Sequence, residues 1–423
     1  MNTIALVCPE MHQCAVNLYQ SYTDDNADES LVMMFLCEFM NYIQPPFDNI
    51  NISNELVNIF IRIGKLFNIK SNVYGKETSY KDIFDMLITQ DAHNLINEHN
   101  ETYSCKFHNE SLLAHLHMAA IYGALYSINA DGDVFIVTLT GLLHDIGKMS
   151  TVNMFKYNND NCIGYPFHGE MGCGIIHSMY NEKYENIISK LELENVARAV
   201  SLHMCGCHTT DFDNNQYTQM QWNIYTLENR NALKLLECLS VGDVFACINE
   251  ENKYYDALLV TRSLFFNHTA YHDFVNPSDK IIIIIRGMDK DDNFIVMNQI
   301  QSVLENNDIN HVCLDKIDNL TYLDDFDVVL LTPENELIIP NDRNVFIYSI
   351  FVNNVQKNTN KKSVLDWMNV NVNKLKSLIP LTQKYNKNID HTQASLVSIV
   401  TFNNEHIFGM EIVNNIVENM INV

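Results

Sequence analysis

Positive charge is scarce in this sequence of 423 residues. Its 27 Lys and Arg residues stand against 52 Asp and Glu residues, which gives a formal net charge of −25 at pH 7. A protein that holds nucleic acid through its overall electrostatic field carries the opposite balance. The composition therefore disfavours long nucleic acid as a partner. It leaves open a local basic groove, or a metal ion that supplies the positive charge.

A long apolar run and a cysteine framework are also missing. The most apolar segment, KIIIIIRG at 280–287, is far too short to span a bilayer. Residues 1–20 have neither the basic start nor the sustained apolar stretch of a secretory signal. The 11 cysteines form no CxxC pair. We therefore expect no membrane partner and a reducing, cytoplasmic location in which most thiols are buried.

The periodicity of apolar residues predicts a multidomain protein of α plus α/β class. Helical spacing marks 29–43 and 54–69, with Ser53 as an N-cap. No linker rich in Gly, Ser or Pro precedes residue 105, so residues 1–104 are expected to be helices packed on the next domain. Residues 105–272 show helical patterns and no evident strand, which predicts an all-α domain. From 278 to 423, strand-like runs alternate with a helix, which predicts a smaller α/β domain with a parallel sheet.

Histidines and aspartates interrupt the apolar helical patterns of the middle domain. They are His115, His144, Asp145, His168, His203 and Asp243. Buried imidazoles and carboxylates need partners, and together they are ligands suited to Mn²⁺, Fe or Zn²⁺. Adjacent helical residues point about 100° apart, so His144 and Asp145 reach one cavity only near a helix end. Gly147 offers such an end.

Five segments carry a family resemblance, in this order: FHNESLLAHLHMA, LLHDIGK, FHGEMG, SLHMCGCH and LSVGDVFA. They resemble the motifs of the HD-domain metal-dependent phosphohydrolases over about residues 105–250. Phe167 stands where the family usually has Gly. The resemblance implies a helical HD domain that hydrolyses a phosphomonoester or phosphodiester in a nucleotide, a cyclic phosphate or a nucleic-acid end.

The resemblance also implies a role for each matching residue. His115, His144, Asp145 and Asp243 would bind one divalent ion, and His168 and His203 a second, with Asp145 bridging the two. The cofactor would be one or two ions of Mn, Mg, Fe or Zn. Lys148 would meet the substrate phosphate, and Glu170 or His208 would relay a proton. The expected catalytic residues are Asp145, Lys148 and Glu170.

Several alternatives stay open at this stage. His117 could replace His115, and His208 could replace His203. The group His203, Cys205, Cys207 and His208 could form a small zinc site of its own. His108 is interpreted as a cap or surface residue, and His177 as a core or surface residue.

The C-terminal strand, turn and helix around Gly287 are similar to the start of a P-loop kinase domain. The second Gly, the Gly-Lys pair and the Ser or Thr of a phosphate loop are absent. Asp289, Asp291 and Asp292 stand where phosphates would lie and would repel them. Asp324, Asp325 and Asp327 precede the later apolar run instead of following it, as a magnesium ligand would. We therefore expect a degenerate kinase-like domain without nucleotide chemistry.

Two other functions fit the same pattern. One is a nucleic-acid end-repair fusion, which would need a basic strip that only scattered lysines, as in 356–363, could provide. The other is a non-catalytic interaction protein with an inactive kinase-like domain.

Overall fold

The computed structural model describes most of the chain in segments. These are residues 8–43, 52–96, 99–105, 108–129, 132–149, 152–157, 159–207, 230–247, 280–287, 289–314, 325–332, 345–357, 396–411, 413–414 and 417. The described residues divide into two compact units. The first holds residues up to Cys207 together with 231–247, and the second begins at Lys280. The mixed α and β content agrees with the predicted multidomain class.

Nine α-helices form most of the described part of the first unit. They are α1 Pro9–Thr23, α2 Glu29–Phe39, α3 Asn54–Phe67, α4 Tyr80–Leu87, α5 Leu112–Asn129, α6 Val134–Leu143, α7 His168–Met179, α8 Lys190–Cys207 and α9 Arg230–Ala246. Short 3₁₀ helices lie at Met40–Tyr42, Ile146–Met149 and Glu182–Asn186. Ser53 caps α3 by accepting from the Leu56 amide, as predicted.

The core of this unit is built around α5 and α6. The two helices pack closely because Gly141 faces the backbone of α5, where an added Cβ would lie 2.6 Å from the Ala120 Cα. The N-terminal helices cover them, with α1 against α5 and α3 against α6. Helices α7 and α8 pack on each other and carry a second buried layer. This arrangement brings one end of α6 close to the start of α7.

The described residues of the first unit include two small sheets. The prediction of an all-α domain over 105–272 was wrong, because two strands of the larger sheet lie within that range, and the region 1–104 contains strands as well as the predicted helices. A hairpin joins β1 Ser71–Val73 to β2 Lys76–Thr78. A mixed sheet has the order β3-β4-β6-β5, from β3 Asn94–Ile96, β4 Thr102–Cys105, β5 Asn153–Tyr157 and β6 Asp160–Gly164.

The hairpin of β5 and β6 gives only a short signal in the sequence. Tyr157 pairs with Asp160 across a tight turn, in which Asn159 has φ of 74°. Asparagine tolerates positive φ and favours such turns, so the Asn pair was the available signal. The strands are short, and one apolar cluster that includes Tyr103 and Ile163 holds them together.

The second unit is an α/β sheet of six strands. They are β7 Lys280–Gly287, β8 His311–Leu314, β9 Val328–Leu331, β10 Val345–Asn354, β11 Leu396–Asn403 and β12 His406–Phe408, with helix α10 Lys290–Asn306. The order is β12-β11-β10-β7-β9-β8, and every neighbouring pair is parallel except β11 with β12. The predicted parallel sheet is confirmed.

Strand β7 is central in this sheet, which explains its run of isoleucines. Ile281, Ile283 and Ile285 pack into the same apolar cluster as Val296 and Ile300 of α10. Ile282 and Ile284 are buried as well, so both faces of the strand are covered. A strand buried on both faces has no polar alternation. Within the described residues, no helix is long and apolar enough to cross a membrane.

Candidate metal centre

The end of α6 places two neighbouring polar side chains in one cavity. The helix ends at Leu143, His144 is its C-cap, and the chain then tightens into the 3₁₀ helix Ile146–Met149. This confirms that the pair lies at a helix end. Gly147 has another role than the expected one: it lies within the 3₁₀ helix, and a Cβ there would collide with the His168 carbonyl oxygen. A glycine at this position lets α6 and α7 approach.

Four side chains from three helices and the turn after α6 converge in what we call the first cluster. Its members are His115 from α5, His144, Asp145 and Asp243 from α9. The Nε2 atom of His115 lies 3.2 Å from His144 Nε2 and 3.2 Å from Asp243 Oδ1. The Oδ2 atom of Asp145 lies 3.5 Å from His115 Nε2 and 3.4 Å from His144 Nε2.

A second cluster forms on the other oxygen of the same aspartate. Asp145 Oδ1 lies 3.2 Å from His168 Nε2 and 3.4 Å from His203 Nε2, and these two nitrogens are 3.1 Å apart. Helices α7 and α8 supply the two histidines. Asp145 Oδ1 is buried without a hydrogen-bond partner among the described residues. One carboxylate thus faces two groups of nitrogen atoms.

The ring orientation of these histidines is set by their other nitrogen. The Nδ1 atoms of His144, His168 and His203 lie 2.8, 2.6 and 2.7 Å from the carbonyl oxygens of Gly141, Tyr165 and Val200. A carbonyl oxygen only accepts, so each Nδ1 donates, and Nε2 is the nitrogen directed at the clusters; in a neutral imidazole it carries the lone pair. Among neutral imidazoles, these lone pairs would face one another and carboxylate oxygens in a buried space. Such an arrangement is costly unless a cation lies among them.

Burial and charge act in opposition on these groups. Burial disfavours ionised Asp145, but Lys148 and His144 hold the pKa of its carboxyl well below the usual range. Burial likewise opposes a charge on His144, while Asp145 and Asp243 raise the pKa of its imidazole to about 9. Each carboxylate is therefore ionised and ready to bind a cation. His115, His144 and Asp145 of the first cluster, and the three residues of the second, could each hold a metal ion.

Lys148 is buried beside the first cluster and does not extend into solvent. Its Nζ contacts Asp145 Oδ2 and lies 3.3 Å from His108 Nε2. Glu170 lies in the first turn of α7, and burial raises the pKa of its carboxyl to about 7. The roles expected for both residues stay predictions.

The remaining histidines divide between the site and the core. His117 is buried on the far side of α5, where its Nε2 lies 3.1 Å from the Tyr22 hydroxyl. His177 is a core residue whose Nε2 lies 3.0 Å from Glu194. The sequence-based interpretation of His108 as a cap or surface residue was wrong, because its ring is buried. His208 lies outside the described residues, and so do the zinc site and proton relay that would use it.

Two residues of the site region were missed by sequence reasoning. Glu110 is fully buried, and its Oε1 lies 2.7 Å from His108 Nδ1 and 3.0 Å from His115 Nδ1. His93 stacks on His108 with ring centroids 4.2 Å apart. A signal for Glu110 was present, since a charged residue precedes the apolar run that begins at Leu112 and lies five positions before the first predicted ligand.

Comparison of this chain with protein-family models, with curated proteins and with solved structures finds no match.

Proposed function

We propose that this protein is a metal-dependent phosphohydrolase acting on a small phosphoester. The observation that carries the proposal is the shared carboxylate of Asp145. One of its oxygens faces the imidazoles of His115 and His144, which also contact Asp243, and the other faces two further imidazoles. Asp145 would help to hold two divalent ions, which would activate water for attack on phosphorus.

The donor chemistry fits divalent ions at both clusters. His115, His144, Asp145 and Asp243 would hold one ion, and Asp145, His168 and His203 the other. Four imidazoles among six ligands favour Mn²⁺, Fe²⁺ or Zn²⁺ over Mg²⁺, which prefers oxygen. When bound, such ions polarise a phosphoryl oxygen and lower the pKa of water so that it attacks phosphorus in line.

The chain itself contributes charge, orientation and proton exchange. The Lys148 ammonium lies against Asp145, where it can balance the charge of a phosphoryl group. The carboxyl of Glu170, with its pKa near 7, can give or take a proton at neutral pH. The backbone carbonyl groups that accept from Nδ1 hold the ligand rings in place before substrate binds.

The exposure of the site supports a small substrate. His168, Asp243 and Lys148 keep 6–7% of their surface exposed, whereas His115, His144, Asp145 and His203 keep 0–1%. The side formed by the first three is therefore the approach to the clusters. The low exposure of these residues and the net charge of −25 favour the phosphoryl end of a nucleotide or a cyclic phosphate over the middle of a long nucleic acid.

The test is hydrolysis of nucleotides, 2′,3′-cyclic phosphates and a generic phosphodiester with Mn²⁺, Mg²⁺, Fe²⁺ or Zn²⁺. We expect turnover in the wild type and in His117→Gln, a buried histidine of α5 outside the clusters. Asp145→Ala should lose turnover and bound metal together while keeping the fold by circular dichroism. Metal-dependent hydrolysis that persists in pure Asp145→Ala protein would contradict the site.

We infer that the second unit does not use nucleoside triphosphates. The turn between β7 and α10, where a phosphate loop would lie, is occupied by the protein's own charges. Asp289 accepts from the Asp291 amide at the start of α10, and Lys357 lies 2.8 Å from Asp289 and 3.0 Å from Asp292. Asn354 also donates to Asp292 at 3.2 Å. Lys357 of the protein itself thus pairs with the acidic groups that would repel a nucleotide.

A further inference from the structure

We propose that His108 is a positioning residue for Lys148, and that Glu110 links it to the ligand His115. The proposal deepens the proposed function, since it concerns how the lysine of that site is held. It rests on the contacts that His108 and Glu110, which lie outside both clusters, make with Lys148 and His115. None of the predicted site residues is reassigned by it.

His108 joins Glu110 to Lys148 through its two ring nitrogens. Its Nδ1 lies 2.7 Å from Glu110 Oε1, and its Nε2 lies 3.3 Å from Lys148 Nζ. The carboxylate of Glu110 only accepts hydrogen bonds, and the ammonium of Lys148 only donates them. The imidazole is therefore neutral, with a proton on Nδ1 and a lone pair on Nε2 that receives the lysine.

Neighbouring rings hold His108 at its face, in addition to the contacts of its two ring nitrogens. His93 stacks on it at 4.2 Å with an interplanar angle of 16°. The Nδ1 of His93 in turn lies 2.9 Å from the Glu110 carbonyl oxygen. The His115 ring meets His108 nearly edge-on at 4.4 Å. A ring held in this way gives Lys148 one defined position.

Glu110 connects this arm to the first cluster. Its Oε1 lies 3.0 Å from His115 Nδ1, and its Oε2 accepts from the Asn109 amide at 3.1 Å. A carboxylate behind a metal-binding imidazole fixes the ring and raises its basicity. The contacts thus run from Asp145 through Lys148, His108 and Glu110 to His115. Through these contacts, the buried carboxylate of Glu110 orients both the Lys148 ammonium and the His115 imidazole.

His93, His108 and Glu110 could also be taken as a third metal site. Their geometry favours the positioning role instead. The Nδ1 of His93 lies against the Glu110 carbonyl oxygen, which only accepts, so this nitrogen donates and is not a metal ligand. The Glu110 oxygen and His108 Nδ1 are also already joined by a hydrogen bond. A third bound ion is therefore an outcome that the experiment must be able to detect.

The test uses the full-length protein loaded with Mn²⁺ and inorganic phosphate as the probe. Phosphate affinity is measured by calorimetry and metal content by mass spectrometry, for wild type, His108→Ala, His108→Gln, Lys148→Met and the double variant. A hydrogen bond to a charged group is lost in His108→Ala, so we expect phosphate affinity to fall about tenfold to a hundredfold with metal content unchanged.

Two further results are specific to positioning. His108→Gln should recover part of the loss, since an amide can accept from Lys148 and donate to Glu110. In the Lys148→Met background, His108→Ala should change phosphate affinity no further, because it acts through the lysine. His117→Gln is the matched control and should behave as wild type.

The opposite outcomes would overturn the proposal. They are additive losses in the double variant, wild-type affinity in His108→Ala, a lower metal content in His108→Ala, or no phosphate binding by the wild type. The binding measurements do not depend on turnover. Failure of the hydrolysis panel would thus count against the proposed function and leave this test in force.

Discussion

We expect the proposed metal ions to stabilise this protein, and replacing Asp145 by Asn should remove most of that stabilisation. The substitution keeps the shape of the side chain and removes the one charge shared by both clusters. An ion present at 100 times its dissociation constant stabilises the folded state by about 2.7 kcal/mol, so two ions give about 5 kcal/mol. For a domain of this size, that corresponds to a rise in melting temperature of about 10–20 °C.

The loss expected in the variant follows from the same relation. Asp145 contributes an oxygen to each cluster at 3.2–3.5 Å from the imidazole nitrogens. Even changes behind the ligands cost tenfold to a hundredfold in metal affinity, so loss of the ligand itself should cost about a hundredfold or more. Each ion then stabilises by about 0.4 kcal/mol at most, and the metal-induced rise shrinks to about 2–3 °C.

The assay is thermal unfolding with and without Mn²⁺, together with metal content. Each variant is compared with its own metal-free form, because Asp145→Asn also leaves the buried Lys148 ammonium without its carboxylate. That loss alone can cost about 3–5 kcal/mol. His117→Gln controls for the replacement of a buried polar group. The reasoning is refuted if pure Asp145→Asn retains two ions and the wild-type rise in melting temperature.

Three further predictions follow. In Gly147→Ala, the new Cβ would collide with the backbone of His168 and displace it, which should destabilise the fold by about 1–3 kcal/mol. Because His168 is a proposed ligand, metal content should fall from two ions toward one. Two retained ions would contradict this prediction. Burial opposes a charge on His177, but Cys173 and Glu194 raise the pKa of its imidazole to about 10. The folded-state pKa lies above the ordinary value near 6.5. The stability lost in His177→Gln should therefore be largest below about pH 6.5 and fade as pH rises through about 10 in unfolding measurements, and a loss that grows with pH would contradict the sign. Finally, calorimetry with ATP on Asp145→Asn protein, in which the proposed metal site is disabled, should show no binding. A micromolar ATP affinity that changes in Lys357→Ala would contradict the inference that the second unit does not use nucleoside triphosphates.

Periodicity and residue type by themselves determine much of the fold. The isoleucine run of β7 requires a strand covered on both faces, and the sheet places it in the centre. Ser53 and the apolar spacing after it define α3. Adjacent His144 and Asp145 can share a cavity only at a helix end, and α6 ends there. Each of these conclusions depends on neighbours in the chain.

Only the tertiary structure decided which histidines belong together. His115 and His117 lie two residues apart on α5, so they point to different sides of the helix. Both sides are buried, and the sequence around them is apolar throughout, so no periodicity separates the two. The distinction comes from what packs outside: Asp145 and Asp243 on one side, and Tyr22 of α1 on the other.

The small sheet and the arm behind Lys148 depend on contacts between distant segments. Strand β4 pairs with β6, with Ser104 beside Cys162, and the sequence of either strand alone is too short to require it. His93 and His108 are ordinary polar residues in the sequence, and their ring stack exists only because the chain between them folds back. The sequence thus determined the kinds of ligand and their local geometry. Long-range packing decided their partners, because burial and hydrogen bonding depend on residues far away in the chain.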